Sequence, residues 1–240
     1  GSYYREFDVN AYNYARNTSR VITPYDESGN LEYFIRNFAP FNILNELENN
    51  YTTLQMLDIK VQGGIKYKII PSLTYSINTA YRFSRSEREN YVLEQSNQAQ
   101  AFRSGGDATR DGSNEYLYID SANPTGLPTS VLPTGGFYNT VGDNLTNYYF
   151  RHDLVYDKNF SDKHLVNVFG SMEVRYIDRQ NKYFNGIGYQ YQNGGLVNPS
   201  YLYFKEAGEA GEAYFGMGKN YERYVAYMLR AAYSYKGIYS

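Results

Sequence analysis

The feature that most limits how this chain can fold is a strict alternation of polar and apolar side chains. Between residues 58 and 69 the apolar side chains occupy odd positions: Ile59, Val61, Ile65, Tyr67 and Ile69. The even positions carry polar side chains: Asp58, Lys60, Gln62, Lys66 and Lys68. After Pro71 the alternation resumes from Leu73 to Ser84. Successive side chains of a β-strand point to opposite faces, and proline cannot donate to a sheet ladder. The pattern therefore predicts a long β-hairpin that turns at Pro71.

The same alternation recurs further along the chain. It covers Asn147 to Lys158 and Val166 to Tyr176, on either side of a polar turn at residues 159–163. It returns from Val225 to Tyr235, and a weaker version runs from about Tyr3 to Tyr14. With the first hairpin, these segments predict six strands.

Short and long connections alternate between the predicted strands. Two are short, at Pro71 and Ser161, and three are long, at about residues 16–50, 97–143 and 185–219. In an antiparallel meander, alternate connections lie at the same end of the sheet, so we expect the long loops to lie together. Loops longer than about 15 residues are uncommon in compact domains and are usually functional.

Composition removes several classes of protein. The 240 residues include 30 Tyr, 13 Phe and 24 Asn, with no Trp and no Cys, and the formal net charge is −2. The balance of charge argues against a nucleic-acid partner. The lack of cysteine excludes disulfide scaffolds, thiolate zinc sites and cysteine nucleophiles. The mean hydropathy is −0.63, and no apolar run reaches the roughly 18 residues of a spanning helix. A helical membrane protein is therefore excluded.

The predicted strands run for about 15 to 20 residues, against a usual length of about 5–6 in globular proteins. Long alternating strands, short turns, long loops and tyrosines near the ends of the apolar runs are typical of outer-membrane barrels. We therefore predict an all-β fold, an antiparallel up-and-down meander that forms an arc of a large transmembrane β-barrel with long extracellular loops. Because six such strands cannot close this barrel, and a strand pattern still runs at Tyr233–Ser240, we expect a piece of a longer chain. The alternative is a soluble β-sandwich whose tyrosines cover a half-exposed sheet.

Several segments carry a likeness to a known family. They read NTSR and PYDESGNL (17–20 and 24–31), FNILNELENNY (41–51), VQGGIKYK (61–68) and AYSYKG (232–237). These segments resemble the SusC/RagA-type TonB-linked (TonB-dependent) outer-membrane transporters. The resemblance covers most of the chain and is weakest in the two later long loops.

The resemblance implies that residues 1–240 form part of a TonB-dependent-receptor barrel of about 22 strands. The plug domain and the remaining strands are then absent from this chain. The implied protein is a nutrient importer in the cell outer membrane, which takes up oligosaccharides or peptides with energy relayed by the TonB complex through the plug. A SusD-like surface lipoprotein is the implied lid, and outer-membrane lipid surrounds the wall. The second hypothesis is a soluble or surface-exposed β-rich glycan-binding module.

Aromatic side chains in the two later long loops are candidates for substrate contact. Aromatic faces beside polar acceptors suit a sugar, which presents apolar ring faces and many hydroxyls. The candidate residues are Tyr116, Tyr118, Asp120, Tyr189, Tyr191, Tyr201 and Tyr203. The alternative is that these side chains pack the loops against one another or against the lid protein.

No residue pattern predicts an enzyme. His152 and His164 are the only two histidines. His152 and its neighbour Asp153 point to opposite faces of a strand and cannot form a catalytic dyad directly. A glycoside-processing enzyme, the third hypothesis, needs a paired acid and base that the sequence does not present. We therefore expect no catalytic residue and no cofactor.

Two acidic stretches leave calcium as an alternative. Glu206, Glu209 and Glu212 lie in a small-residue stretch whose spacing matches no established calcium loop. Asp107 and Asp111 miss the EF-hand pattern, because a threonine separates them where an Asp or Asn is needed. We expect a flexible, solvated loop at the glutamate stretch and no metal at either place.

Overall fold

The computed structural model describes Phe7 and residues 9–161, 163–236 and 238–239, and the chain forms two compact units. The first, named here the loop unit, comprises Gly1–Leu54, Arg88–Val141 and Lys182–Gly216. The second, the sheet unit, comprises Gln55–Glu87, Gly142–Asn181 and Met217–Ser240. The loop unit thus gathers the segments that the sequence assigns largely to the three long connections.

Nine strands lie in the described part of the chain, and five of them are long. The strands are β1 (Phe34–Arg36), β2 (Ala39–Phe41), β3 (Asn50–Ile70), β4 (Leu73–Val92), β5 (Gly136–Phe160), β6 (His164–Gln190), β7 (Leu196–Val197), β8 (Phe215–Tyr235) and β9 (Ile238–Tyr239). The large sheet has the order β3-β4-β5-β6-β8-β9, with β7 paired to β6, and it forms an antiparallel meander. The long strands, which are β3, β4, β5, β6 and β8, have 20 to 27 residues each. The all-β meander is confirmed, and its strands are longer than predicted.

Short helices punctuate the connections between the strands. They are α1 (Ala11–Asn17), α2 (Ile43–Asn49), α3 (Asn97–Ala101), α4 (Ala108–Ser113) and α5 (Tyr201–Glu209). Over the described residues, no helix is both long enough and apolar enough to cross a membrane. The sequence treats all three connections as irregular loops, and the structure folds each of them around one or two helices.

Both short turns lie where the alternation predicts them. Only Pro71 and Ser72 separate β3 from β4, and the backbone N–H of Asp157 donates to the Ser72 carbonyl oxygen at 2.8 Å. Between the end of β5 and the start of β6, Ser161 has a φ of +53°, in the left-handed region that tight turns use. These turns fix the register of both hairpins.

The first predicted strand is wrong over its described part. Residues Ala11–Asn17 form α1, and the Asn10 side chain accepts a hydrogen bond from the backbone N–H of Asn13 at 3.0 Å. An asparagine that binds the third amide after it is a strong helix start, and it outweighs an alternation supported by few apolar positions. Residues 1–6 and 8, which include the rest of that prediction, lie outside the described residues.

Polar groups pair across the strands of the sheet unit. The Arg82 guanidinium on β4 forms an ion pair with Asp58 on β3, with an Nη2–Oδ2 distance of 2.5 Å. The Asp153 carboxylate on β5 accepts hydrogen bonds from Ser171 on β6, at 2.7 Å, and from Arg151, at 2.8 Å. These pairs occupy the positions that the alternation assigns to the polar face.

Aromatic side chains pair on the opposite face. The rings of Tyr81 and Tyr148 lie 5.1 Å apart between centroids. The Tyr75 hydroxyl lies 2.6 Å from Nδ1 of His152. Cross-strand aromatic pairs of this kind stabilise a sheet by about 0.2–1 kcal/mol each. The two faces therefore carry different chemistry, as the sequence predicts.

Large apolar side chains on β3 and β8 remain exposed. The exposed fractions are 63% for Val61, 70% for Ile65, 76% for Tyr227 and 78% for Leu229. The apolar positions of these two strands are thus not folded inward onto one another. A large contiguous apolar surface on a protein is normally covered by a partner or by lipid.

The loop unit has its own small hydrophobic core. One cluster of buried side chains consists of Val92, Ala99, Leu132, Phe137 and Ile187. A second cluster consists of Phe7, Ala39, Ala101 and Tyr116. Both clusters draw on strand ends or loop helices that are far apart in sequence, so the long connections are packed structures.

A buried asparagine ties the connections of the loop unit together. Asn97, which is 2% exposed, donates through its amide nitrogen to the carbonyl oxygens of Arg36 (2.7 Å), Ala39 (3.0 Å) and Pro40 (3.1 Å). Its backbone N–H donates to the Glu46 carboxylate at 2.7 Å. Burial raises the pKa of Glu46, although the bond from Asn97 opposes this shift. The β1–β2 turn, α2 and α3 therefore meet at one polar node.

We expect the substitution Asn97→Ala to destabilise the loop unit by about 1–3 kcal/mol, because it leaves buried carbonyl oxygens without donors. Thermal unfolding and limited proteolysis of the full-length protein would measure this loss. Asn13→Ala, on the exposed side of α1, is the matched control and should have little effect. Equal behaviour of the two variants would contradict the role assigned to Asn97.

Candidate functional site

A cavity of about 420 Å³ lies within the loop unit and is named here the loop cavity. Its walls come from α3 and the segment after it, the first residues of β5, the last residues of β6, and α5. Side-chain oxygens fix where two of these helices begin. Ser96 Oγ accepts from the Ala99 N–H at 3.1 Å, and Ser200 Oγ accepts from the Leu202 N–H at 3.1 Å. Serine is a favoured residue at this position because it satisfies an otherwise unpaired helix amide.

A glycine allows β5 to enter the cavity wall. A Cβ on Gly136 would overlap the Val92 carbonyl oxygen of β4, so only glycine fits at this position. The close approach of the two backbones places the next residue, Phe137, in the buried core with Val92. Phe137 and Asn139 line the cavity from alternate positions of β5.

Aromatic rings form the apolar part of the cavity wall. Phe102 packs edge-on against Phe137, and it also contacts Tyr116; both centroid distances are 5.2 Å. Tyr116 is only 3% exposed and contacts Phe7 on its other side. Tyr203 of α5 packs against the same core. These contacts hold the rings in fixed positions.

Among the described residues, three glutamates line the cavity, and no lysine, arginine or histidine does. They are Glu115, Glu206 and Glu212. Burial raises the pKa of Glu206, and the negative charges of Glu212 and Glu209 raise it further. Over the part of the chain that the structure describes, none of the three lining glutamates forms an ion pair. The charged side chains that line the cavity are therefore all negative over the described part of the chain.

A second cavity, of about 660 Å³, adjoins the first through four shared residues. The shared residues are Gln98, Asn139, Tyr183 and Asn185. Amide side chains dominate its polar lining. Asn50 donates to Gln98 at 3.3 Å, and Asn139 donates to Asn90 at 3.2 Å. Amides that both donate and accept can bind a peptide backbone or sugar hydroxyls.

Of the residues predicted to contact substrate, some line the loop cavity and others lie outside it. Tyr116 and Tyr203 line the loop cavity. Tyr118 is 7% exposed and lies under the Lys205 ammonium group, which is also 3.7 Å from the Asp120 carboxylate. Tyr201, at the start of α5, is 76% exposed. None of Tyr118, Asp120 and Tyr201 lines the two cavities.

Tyr189 and Tyr191 belong to a separate cluster of tyrosines. Their rings are 4.7 Å apart, and Tyr189 lies 4.9 Å from Tyr138. The Tyr191 hydroxyl donates to the Phe137 carbonyl oxygen at 2.7 Å, and burial raises the pKa of Tyr191. Tyr138 alternates along β5 with the cavity-lining Phe137 and Asn139, so this cluster lies behind the cavity wall. These contacts match the alternative in which loop aromatics pack against one another.

Most of the cavity wall is formed by residues that the sequence alone does not mark. Phe102, Phe137, Asn139 and Glu115 carry no motif, and they come together only through the packing of distant segments. The sequence offers one indication of this region, namely that asparagines and aromatic residues are concentrated where the alternating strands end. This concentration marks a polar surface, but it does not identify which residues share a cavity.

The flexible loop expected at the glutamate stretch is wrong over Glu206 and Glu209, which lie in α5, and Glu206 and Glu212 line the cavity. The two aspartates accept hydrogen bonds from backbone groups. Asp107 accepts from the first amides of α4. The Asp111 carboxylate accepts from the Ser104 hydroxyl (2.6 Å) and the N–H groups of Gly105 and Gly106 (both 3.0 Å), and these bonds lower the pKa of Asp111. Within the described part of the chain, no group of three or more carboxylate or imidazole side chains is arranged to hold a metal ion.

We expect the raised pKa of Glu206 to appear in the pH dependence of stability. The folded state then holds this proton more tightly than the unfolded state, so stability falls as pH rises from the ordinary glutamate value of 4.5 through the raised pKa. Glu206→Gln stays neutral and should remove part of this fall and melt higher at neutral pH. Melting temperatures between pH 4.5 and 7.5 would measure it, with the exposed Glu27→Gln as control. A wild-type profile unchanged by Glu206→Gln would contradict the assignment.

Comparison with known proteins supports the fold. No family model matches the chain, and no curated protein matches it. Matching solved structures include one described as the RagAB peptide importer in the "closed-closed" state and one described as the RagAB peptide transporter. Each aligns with a TM-score of 0.58 at 11% identity, over 88% and 89% of this chain respectively. This chain spans 20% of the length of each solved chain. Similarity at this low identity shows a shared fold alone.

Proposed function

We propose that this chain is part of the wall and extracellular loops of a TonB-dependent outer-membrane nutrient importer of the SusC/RagA type, which acts by gated passage and not by catalysis. The observation that carries the proposal is the exposed apolar surface of β3 and β8, with side chains such as Val61 and Leu229. Lipid offers no hydrogen-bond partner to a backbone amide, so a strand crosses a bilayer only within a sheet whose outward side chains are apolar.

Aromatic residues of the sheet unit support the proposal that its strands cross the outer membrane. Tyr176 on β6 lies beneath the Arg223 guanidinium of β8 at 5.0 Å, and Arg223 also binds Asp178 at 2.6 Å. A tyrosine next to a charged pair, at the end of an apolar run, is typical of the level where lipid headgroups meet water. Such girdles hold the wall at a fixed depth.

The loop unit supports the selective part of the proposal. Packed connections with two adjoining cavities provide a surface on which a substrate can be held before passage. The proposed substrates are oligosaccharides or peptides. The proposed partners are a SusD-like surface lipoprotein, which closes the mouth as a lid, and the TonB complex, which acts through a plug domain. The likeness in fold to chains of the RagAB peptide importer supports import as the class of function.

We expect Val61→Arg to impair assembly of the full-length protein into the outer membrane. A charged side chain on the lipid face of a barrel costs about 2–4 kcal/mol near the middle of the bilayer. The neighbouring variant Gln62→Arg places the same charge on the opposite, polar face and is the matched control. Membrane fractionation and heat-dependent gel mobility of both variants would measure the folded, inserted fraction.

The same pair of variants separates the importer from the alternative. In a soluble or surface-exposed glycan-binding module, Val61 would face water, and an arginine there would be nearly neutral. Equal assembly of both variants, together with full recovery of the full-length protein without detergent, would overturn the proposed function. Loss of assembly for Val61→Arg alone would support it.

A further inference from the structure

We propose that the loop cavity binds a protonated amine or guanidinium group carried by the imported substrate. This inference rests on the proposed function, because it names the substrate chemistry that the same loops select. The group could come from a lysine or arginine side chain of a peptide or from an amino sugar. Both sources carry an organic cation, which is attached to an alkyl chain in the peptide and to a hydroxylated ring in the sugar.

The size and walls of the cavity suit such a group. A volume of about 420 Å³ holds one side chain or one sugar ring and not a whole oligomer. Phe102, Phe137, Tyr116 and Tyr203 supply aromatic faces and edges around it. An ammonium or guanidinium group over an aromatic face gains about 0.5–2 kcal/mol, more when water is excluded. The rings are held by one another, so they need little ordering when a ligand enters.

The charges of the cavity favour a cation over a neutral group. Glu206 is half-buried, and the nearby carboxylates of Glu212 and Glu209 repel it. An incoming positive charge would relieve this repulsion and stabilise the ionised form of Glu206. Neutral sugars and neutral side chains can donate hydrogen bonds to these carboxylates but bring no charge, so the cavity favours a cation over a neutral group.

The backbone of α5 adds to the negative potential. Glu206 lies in the last turn of this nine-residue helix, where carbonyl groups carry partial negative charge, and no basic residue lies in that turn. A carboxylate at a helix C-terminus is itself unfavourable. The last turn and the carboxylate therefore point to the same complement, a cation from outside the chain.

An organic cation fits the cavity better than a metal ion. Calcium needs six or more oxygen ligands at about 2.3–2.6 Å, and the described side chains include no three-carboxylate group of that kind. Aromatic edges and apolar walls, which form much of the cavity, are poor surroundings for a hard metal ion. They suit the alkyl stem of an amine, whose charged end alone reaches the carboxylates.

The adjoining cavity gives the remainder of the substrate a place to bind. Its amides, such as Asn90 and Asn139, can form hydrogen bonds with peptide groups or hydroxyls next to the cationic group. Four residues line both cavities, so the two lie next to each other. The inference therefore concerns one charged group on an extended substrate.

The test measures binding to the full-length protein in detergent by calorimetry, with two matched pairs of probes. The peptide pair is a capped tripeptide with a central lysine and the same tripeptide with norleucine, which lacks only the terminal ammonium group. The sugar pair is a glucosamine trimer and its N-acetylated, neutral form. We expect at least one cationic probe to bind about tenfold more tightly than its neutral partner.

The double variant Glu206→Gln/Glu212→Gln should abolish that preference while its affinity for the neutral probes stays the same. Glu209→Gln is the matched control, because it removes a charge from the same helix at a residue that does not line the cavity. This variant should keep most of the preference for the cationic probe over its neutral partner. A cooperative melting transition at or above the wild-type temperature would show that the double variant folds. If the double variant unfolds, the single variant Glu212→Gln replaces it, because Glu212 is exposed. This variant should reduce the ratio of the affinities for the cationic and neutral probes by half or more.

Each outcome decides the inference separately from the proposed function. Preference for one cationic probe supports the inference and identifies its source, and preference for both supports the shared chemistry. Equal affinity within both pairs, or a preference that survives in the double variant, overturns it. The importer would still stand in that case, since Val61→Arg and Gln62→Arg test membrane assembly independently of any ligand.

Discussion

The structure depends on backbone pairing between very long antiparallel strands. Once the N–H and C=O groups of β4, β5 and β6 are bonded to neighbouring strands, side chains can leave the sheet only above and below it. A sheet with strands of 20 residues or more then has two separate surfaces whose chemistry can differ completely. Arg82 with Asp58 on one surface and Tyr81 with Tyr148 on the other show this separation. The exposed apolar side chains of β3 and β8 follow from the same constraint.

The connections have only short ladders, such as that between β1 and β2, and buried polar side chains bind much of the remaining backbone. Asn97 alone binds three carbonyl oxygens, and the Asp111 carboxylate binds two backbone amides and a hydroxyl. The Asn42 amide donates to the carbonyl oxygens of Pro24 and Glu32, both at 2.7 Å. A buried backbone group without a partner is costly. Each of these side chains therefore permits a segment of irregular backbone to be packed and not solvated.

The candidate site arises where these two kinds of structure meet within the loop unit. The ends of β5 and β6 contribute Asn139 and Tyr183, and the helical connections contribute Phe102 and Glu206. Rings that pack on one another form rigid walls, while Glu206 in the last turn of α5 and Glu212 after it have no ion-pair partner among the described residues. Rigid apolar walls with uncompensated charge are a suitable surface for selecting a ligand by its charge.

Alternation along the chain determined the strands and their two faces, because these depend on residues two positions apart. It also determined the tight turns and the order of the meander, because a short turn between two strands places them side by side. The helix α1 was missed because one capping side chain, Asn10, outweighed a weak alternation. Tyrosine content indicated aromatic clusters, but only the folded chain separated Tyr116, which lines the cavity, from Tyr191, which packs behind its wall. The cavity itself was decided by tertiary structure, since its walls join segments about 100 residues apart, and no local pattern records which distant side chains share a space.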